Sequence, residues 1–361
     1  MKRLRHIIRI PLKALSIAAA AALALSCLSI YINPAALWQP AFFGLFFLPL
    51  LAVNVALAIG WTIVYSRFAW VNICLVVPSL FYLPLFIQFN GEQNNTGNAA
   101  PAIKIVSYNV HLFGLSGGKT ATTLSGIADF IKNENPDIIC LQEVAAYDTT
   151  ELSRTFKKYP YRHYKMARLN NRLYFGLATF SRYPMTRKGS FVFPQSLNGG
   201  SFADIAMHGK TVRIYNNHLQ SVHLNLEKTA MRLQQGGELR NNELRNLSHS
   251  LKTGFIKRAQ QVDSITAHIA AAPHPVIVCG DFNDIPMSYT YRRMKGKLND
   301  CFLEAGRGMV STYNLFWSAF RIDYIFSDAQ FRINRYNVRR IKYSDHYPVV
   351  VELLIEDINS K

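Results

Sequence analysis

The chain has 361 residues and a net charge of +18. That length exceeds one ordinary core and predicts about two units. The five cysteines have neither zinc-ligand nor disulfide-framework spacing, which excludes a fold stapled by metal or cross-links.

Up to Phe89 the sequence is almost wholly apolar, and after Pro101 it reads as a mixed globular domain. The polar stretch Asn90–Asn98 between them has no core-forming residues and reads as a linker, giving an anchor over 1–89, a linker over 90–101 and a domain over 102–361. Residues 1–100 hold six Lys and Arg against Glu92 alone. The remainder holds 34 Lys and Arg against 21 Asp and Glu, so most of the excess lies in the globular part. Such a domain meets anionic partners, namely nucleic acid, lipid headgroups or phosphorylated small molecules, unless the charge serves only solubility.

Three uncharged apolar stretches open the chain, Ala14–Ile32, Ala41–Tyr65 and Phe68–Phe89, each near the roughly 20 residues that span a bilayer. The basic start Lys2–Lys13 also fits a signal peptide, including a lipoprotein signal ending at Cys27, although Ala24 is a poor residue for such a site. The two further apolar stretches favour a multi-pass anchor of three transmembrane helices. Pro78 and Pro84 are expected to kink the third. Basic residues flank the N-terminus and occupy the second loop at Arg67, while the first loop, Asn33–Pro40, has none. The positive-inside rule then puts the N-terminus in the cytoplasm and residues 90–361 on the outer face.

Ile103–His111 alternates as a strand and ends in Asn109 and His111. Thr123–Asn133 has helical spacing, and Pro136–Glu143 reads as a buried strand ending in Glu143. Alone, Glu143 would be a salt-bridged strand end, but the pattern recurs. Thr211–Leu219 ends in Asn217 and His218, and Pro275–Asn283 ends in Asp281 and Asn283. Asp323 lies within the apolar Arg321–Phe326, and Asp345 and His346 precede a last strand. Six polar strand ends of Asn, Asp, Glu and His predict one site at a shared sheet rim. Carboxylates with amides suit a hard cation such as Mg²⁺, and histidines with carboxylates suit acid–base chemistry.

In this order, Ser-Tyr-Asn109-Val, Leu-Gln-Glu143-Val, Asn-His218-Leu, Gly-Asp281-Phe-Asn283, Ile-Asp323-Tyr-Ile and Ser-Asp345-His346 resemble the endonuclease/exonuclease/phosphatase family over about residues 102–355. The resemblance implies an α/β fold, a two-sheet sandwich in four α-β-β-α layers. It implies Glu143 as the main metal ligand, with Asn109 and Asp345 beside it. The ion it implies is Mg²⁺, with Mn²⁺ or Ca²⁺ as alternatives. It implies His346 as general base oriented by Asp323, Asp281 and Asn283 positioning nucleophile and phosphoryl oxygens, and His218 on the phosphate or leaving group. Arg168, Arg172 and Asn217 are the expected substrate contacts. One departure stands out. In the family's nuclease branch a carboxylate from an earlier strand holds the histidine matching His218, yet residues 152–203 contain no Asp or Glu.

That same window holds ten basic residues with Tyr159, Tyr161, Tyr164 and Tyr174 interleaved, a pattern that fits a nucleic-acid backbone, an anionic membrane or a solvated face. The polar insertion Ser221–Thr253 is expected to overhang the site or to be a surface excursion. Lys257–Ala271 resumes as an amphipathic helix on which Arg258 faces either sheet or solvent. Three readings of function follow: a phosphodiesterase acting on nucleic acid, a lipid or inositol phosphoester hydrolase, and an inactive membrane binding module.

Overall fold

The computed structural model describes residues 2–64, 66–90, 101–118, 120–169, 172–194, 196–222, 241–314 and 320–355. Nearly all of the expected linker, residues 91–100, and positions 223–240 of the expected insertion lie outside the described residues.

The apolar N-terminal part is helical. α1 (Lys2–Leu28), α2 (Gln39–Gly44), α3 (Phe47–Ile63) and α4 (Ala69–Ser79) are followed by a 3₁₀ turn over Leu80–Leu85. Among the described residues, only Arg9–Leu28 forms a helix long and apolar enough to span a membrane by itself. The expectation of three uninterrupted spans is corrected at the second and third. The second divides at Gly44, whose missing Cβ leaves room for the Met287 carbonyl oxygen and Ser29. The third ends early because Pro78 and Pro84 cannot donate to a helical ladder; it tightens into the 3₁₀ turn and finishes as strand β1 (Ile87–Phe89).

Polarity in this bundle is inverted. Asn54 and Asn72 are fully buried and bond to each other at 2.8 Å, and Asn54 also donates to the Ala19 carbonyl. The Trp61 indole donates to Ser16 at 2.8 Å. Ile17, Ile59, Ile63, Trp70 and Val77 lie on the outside, all exposed.

The rest is a sandwich of two mixed sheets. In chain order it contains β2 (Ala102–Asn109), α5 (Thr120–Glu134), β3 (Ile138–Ala146), α6 (Thr150–Thr155), β4 (Tyr161–Arg168), β5 (Tyr174–Ser181), β6 (Met185–Val192), β7 (Gly199–Met207) and β8 (Lys210–His218). The long α7 (Asn241–Ala270) absorbs the helix expected over Lys257–Ala271. After it come β9 (Val276–Asp281), α8 (Tyr289–Lys295), β10 (Asn299–Asp300), α9 (Cys301–Ala305), β11 (Arg307–Met309), β12 (Asp323–Ser327), β13 (Phe331–Val338) and β14 (Val349–Ile355). One sheet has the order β13-β14-β2-β3-β5-β4 and the other β10-β12-β9-β8-β7-β6.

The period-2 alternation of each central strand supplies both faces. Ile103 and Ile105 of β2, Ile277 and Cys279 of β9 and Ile325 of β12 fill the layer between the sheets, which also buries Cys140 and Cys301. Val106 and Tyr108 face α5 on one outer side, and Val278, Tyr324 and Phe326 face α7 and α8 on the other. These are the four layers expected.

The helical bundle is docked on the sandwich. Leu23, Phe47 and Leu51 pack with Ile285, Met287 and Ile322. The Ser29 hydroxyl donates to the Met287 carbonyl at 2.7 Å, and Arg321 donates to the Leu85 carbonyl at 3.2 Å. β1 pairs antiparallel with β11, Ile87 opposite Met309.

Candidate active site

Central strands of both sheets end at one rim, and the inner-face residue at each end is polar. Asp281 of β9 lies opposite Asp323 of β12 in register, and His218 of β8 lies opposite Asp281. Asn109 ends β2. Glu143 arrives by a different route. On strict alternation it would share the outward face with Leu141. The β3–β5 register shifts between Leu141 and Val144, and Glu143 adopts φ 51°. That bulge turns its carboxylate into the cleft, at a backbone cost of about 1–3 kcal/mol for a non-glycine residue in the left-handed region.

Asn109 links the carboxylates, its Nδ2 donating to Glu143 Oε1 at 3.1 Å and to Asp281 Oδ2 at 2.9 Å. His218 Nε2 lies 3.4 Å from Glu143 Oε1 and 3.8 Å from Asp281 Oδ2. Across the cleft, His346 Nδ1 meets Asp323 Oδ2 at 2.9 Å, which leaves Nε2 on the Asp281 side at 3.7 Å. Asn283, also left-handed at φ 52°, donates its backbone N–H to Asp281 Oδ1 at 2.7 Å and its side-chain amide to the Leu219 carbonyl at 3.0 Å. Two overlapping groups therefore have ligand atoms within 4.8 Å of one another: Glu143, His218 and Asp281, and Asp281, Asp323 and His346.

The crowding shifts proton affinities. Burial, then the neighbouring Asp323 carboxylate, pushes Asp281 up to about 7. Burial also raises Glu143 above the usual carboxylate range. For His346 burial works against the charged ring, but the carboxylates of Asp323, Asp281 and Asp345 outweigh it and hold the histidine well above its ordinary value. Burial likewise opposes the charge on Asp345, yet the hydrogen bond from His111 and the nearby His346 hold it down at about 2.

Not every expected residue enters the cleft. Asp345 Oδ1 bonds His111 Nδ1 at 2.8 Å and belongs to neither group of close ligand atoms. Asn217 follows the alternation away from the site. It is fully buried on the face shared with Tyr215, against Gly200, and donates to the Cys279 carbonyl at 3.4 Å. Its expected substrate contact is thereby corrected. Arg168 and Arg172 are exposed beside the tip of the β4–β5 hairpin at the site end.

The basic window is otherwise dispersed over α6, β4, β6 and the segments that join them. Lys165 is buried and donates to the Leu197 carbonyl, Arg162 donates to the Tyr159 and Ser153 carbonyls, and Arg182 bonds Asn135 and faces Asp137. Tyr159 is a core residue.

Two functional neighbours carried little sequence signal. Asn198, buried on the loop before β7, has its Nδ2 3.0 Å from His218 Nδ1. Arg258 faces the sheet, fully buried, with its Nε on Asp284 Oδ2 at 3.2 Å and its Nη1 on the Gln220 carbonyl at 2.9 Å. It thereby joins the loop after His218 to the loop after Asn283.

A two-sheet α/β sandwich whose strand ends gather carboxylates, amides and histidines in one cleft defines a phosphoesterase-type scaffold. The model of the endonuclease/exonuclease/phosphatase family matches residues 106–346, and the chain belongs to that family. Residues 7–86 match a model described as a domain of unknown function (DUF8431). No curated protein matches the chain.

Among solved structures, an endonuclease/exonuclease/phosphatase from Beutenbergia cavernae DSM 12333 aligns with a TM-score of 0.53 at 16% identity, over 70% of this chain and 72% of that one. The human Nocturnin catalytic domain with bound sulfate aligns at 0.52 and 18% identity, over 71% and 94%. D. rerio TDP2 complexed with a single-strand DNA product aligns at 0.51 and 16% identity, over 70% and 98%. At these identities the likeness establishes the fold.

Proposed function

We propose that the chain is a membrane-anchored, metal-dependent phosphoester hydrolase that cleaves phosphodiesters by attack of water on phosphorus. The observation that carries this reading is the convergence of Asn109, Glu143, His218, Asp281, Asp323 and His346 in one cleft at the rim of a family fold. A divalent cation fits the donor set. Glu143 and Asp281, both pushed up in proton affinity, are bridged by one amide, and hard oxygen donors of this kind suit Mg²⁺, Mn²⁺ or Ca²⁺. Glu143 and Asn109 would hold the ion. When bound, it neutralises phosphoryl charge and polarises the ester.

The chain's own residues supply the rest. Asp323 fixes the His346 ring through Nδ1 and leaves Nε2 to take the proton of the attacking water. Asp281 and Asn283 position that water and the phosphoryl oxygens. His218, held by Asn198, faces the phosphate or the leaving oxygen. Asp345 acts through His111 at the edge of the cleft. Arg168 and Arg172, exposed at the site end, are the basic residues of the window that meet substrate.

The anchor reading rests on the bundle's inverted polarity. Amides and hydroxyls buried among helices with aliphatic side chains outside are the pattern of segments solvated by lipid. α1 crosses the bilayer, with α3 and the α4 segment packed beside it. Exposed Arg9 and Lys13 and the nearby Arg67 mark the end remote from the sandwich, which puts that end in the cytoplasm and the catalytic domain outside.

The test is hydrolysis of bis(p-nitrophenyl) phosphate by the full chain in detergent with Mg²⁺. Glu143→Ala and His346→Ala should each lower turnover by orders of magnitude while the thermal transition is retained. Near-parental rates in either variant would refute the assignment.

A further inference from the structure

The helical bundle meets the sandwich at the catalytic loops. Ile285 and Met287, which pack on Leu23, Phe47 and Leu51, lie two and four residues beyond Asn283. Ile322, in the same cluster, immediately precedes Asp323. Tyr313 and Phe320 pack against that cluster as well, and the Tyr313 ring lies 4.8 Å from the ring of His346. The contacts come from one end of the bundle only. They involve the C-terminal half of α1, the N-terminal half of α3 and the 3₁₀ turn after α4, whereas Lys13, Trp61 and Phe68 meet at the other end. The bundle therefore stands end-on beside the mouth of the cleft.

A second observation concerns the rest of that rim. Among the described residues the sandwich exposes few large apolar side chains, and most of them sit at strand ends and loops of the site end. Tyr147 follows the β3 end that carries Glu143, and Leu169 and Tyr174 flank the β4–β5 turn. Val192 ends β6 and Leu197 lies on the β6–β7 connection beside Asn198, and Tyr343 lies three residues before His346. Val192 is 75% exposed and Tyr147 64%. Exposed cations share these loops, Arg168 and Arg172 on one side and Arg340 and Lys342 on the other. Apolar tips interspersed with cations match an anionic bilayer surface, where the tips enter the acyl boundary and the cations meet headgroup phosphates. A nucleic-acid groove would instead present a continuous basic track, which the dispersal of the 152–203 window removes.

We propose that the rim of the cleft lies on the bilayer in which the helices are anchored, and that the substrate is the phosphodiester of a membrane phospholipid. This rests on the reading of the cleft as a phosphoester hydrolase and of the helices as its anchor. Water oxygen bonds to phosphorus, and one phosphorus–oxygen ester bond breaks. The proton of the water passes to His346, and the departing alkoxide takes up a proton. The products are a phosphomonoester and an alcohol, one of which stays in the membrane. End-on docking makes the helices part of the site's architecture: they hold the loops bearing Asn283 and Asp323 at the height of the headgroups.

The experiment uses the full chain reconstituted into vesicles of phosphatidylethanolamine, phosphatidylglycerol, phosphatidylinositol and sphingomyelin with Mg²⁺. Products are read by phosphorus NMR and lipid chromatography, with bis(p-nitrophenyl) phosphate and supercoiled plasmid assayed in parallel. The expected result is hydrolysis of at least one vesicle lipid, abolished by His346→Ala. Tyr147→Ser combined with Val192→Ser should lower the lipid rate roughly tenfold through lost apolar insertion, with the rate on the soluble diester unchanged. Turnover of the soluble diester with every vesicle lipid intact would overturn the lipid assignment and leave the hydrolase reading standing. Plasmid nicking faster than cleavage of any lipid would overturn it in favour of nucleic acid. Absence of turnover on all three substrates would reject both readings.

Discussion

Replacing Arg258 with Met retains the aliphatic stem, and with it the packing on Phe255, while deleting the guanidinium. Two bonds disappear, to Asp284 Oδ2 at 3.2 Å and to the Gln220 carbonyl at 2.9 Å. What remains is the Asp284 carboxylate, 5% exposed and deprived of its counter-ion. Stranding a buried charge in this way costs about 3–5 kcal/mol. For a domain of this size each kcal/mol moves the melting temperature by roughly 2–4 °C, so a fall of roughly 6–20 °C is expected. The assay is thermal unfolding of the full chain in detergent, followed by intrinsic fluorescence. A companion variant, Arg258→Met with Asp284→Leu, removes both charges and should recover most of the loss. Because the pair ties the loop after His218 to the loop after Asn283, the single variant should also lower kcat. A single variant melting within about 2 °C of the parent, or a double variant no more stable than the single one, would refute the buried-pair reasoning.

Other outcomes follow from the same geometry. His346 must lose a proton to act as a base, and its carboxylate neighbours hold that proton above the ordinary histidine range. Activity should therefore rise with pH to a limb above about 6.5, and Asp323→Asn should move the limb toward lower pH. A kcat/KM profile that falls across this interval would make His346 an acid or a fixed cation instead. Gly280 has φ 139°, and a Cβ there would lie 1.9 Å from the Asn217 carbonyl oxygen. Gly280→Ala should accordingly cost about 4 kcal/mol or more, read as loss of soluble folded protein or of the thermal transition. Asn198→Ala removes one hydrogen-bonding partner of His218, worth about 1 kcal/mol, and should slow turnover roughly fivefold with the melting temperature nearly unchanged; a parental rate would show that the contact does not position His218.

Much of the site was legible because it sits where local pattern and long-range geometry agree. A buried strand that stops on Asp281 or His218 announces a polar rim, and alternation carries Asp323, Asp281 and Asn109 to the inner face without further help. Alternation also places Asn217 on the opposite face of β8, so its neighbour His218 faces the site and Asn217 does not. Glu143 is the reverse case. Its period points outward, and only the β3 bulge brings it into the cleft; the β5 register that creates the bulge has no local signature. Arg258 lies on a helix whose apolar stripe is clear, but its burial depends on Asp284, distant in sequence. The basic window stayed open between a nucleic-acid backbone, an anionic membrane and a solvated face for a related reason. Lys165 and Arg162 spend their donors on backbone carbonyls of neighbouring segments, a fate that composition does not reveal. In the helical bundle, hydropathy registered the apolar stretches and the prolines. It could not register that the bundle's proximal end rests on the catalytic loops, because that contact joins residues more than 200 positions apart.

Whether water attacks phosphorus at this cleft is read from hydrolysis of bis(p-nitrophenyl) phosphate in ¹⁸O-labelled water. The expected result is Mg²⁺-dependent turnover that places a single labelled oxygen in the p-nitrophenyl phosphate product and is abolished in Glu143→Ala and His346→Ala. Label appearing in the p-nitrophenol, or turnover indifferent to chelation and to both substitutions, would contradict it.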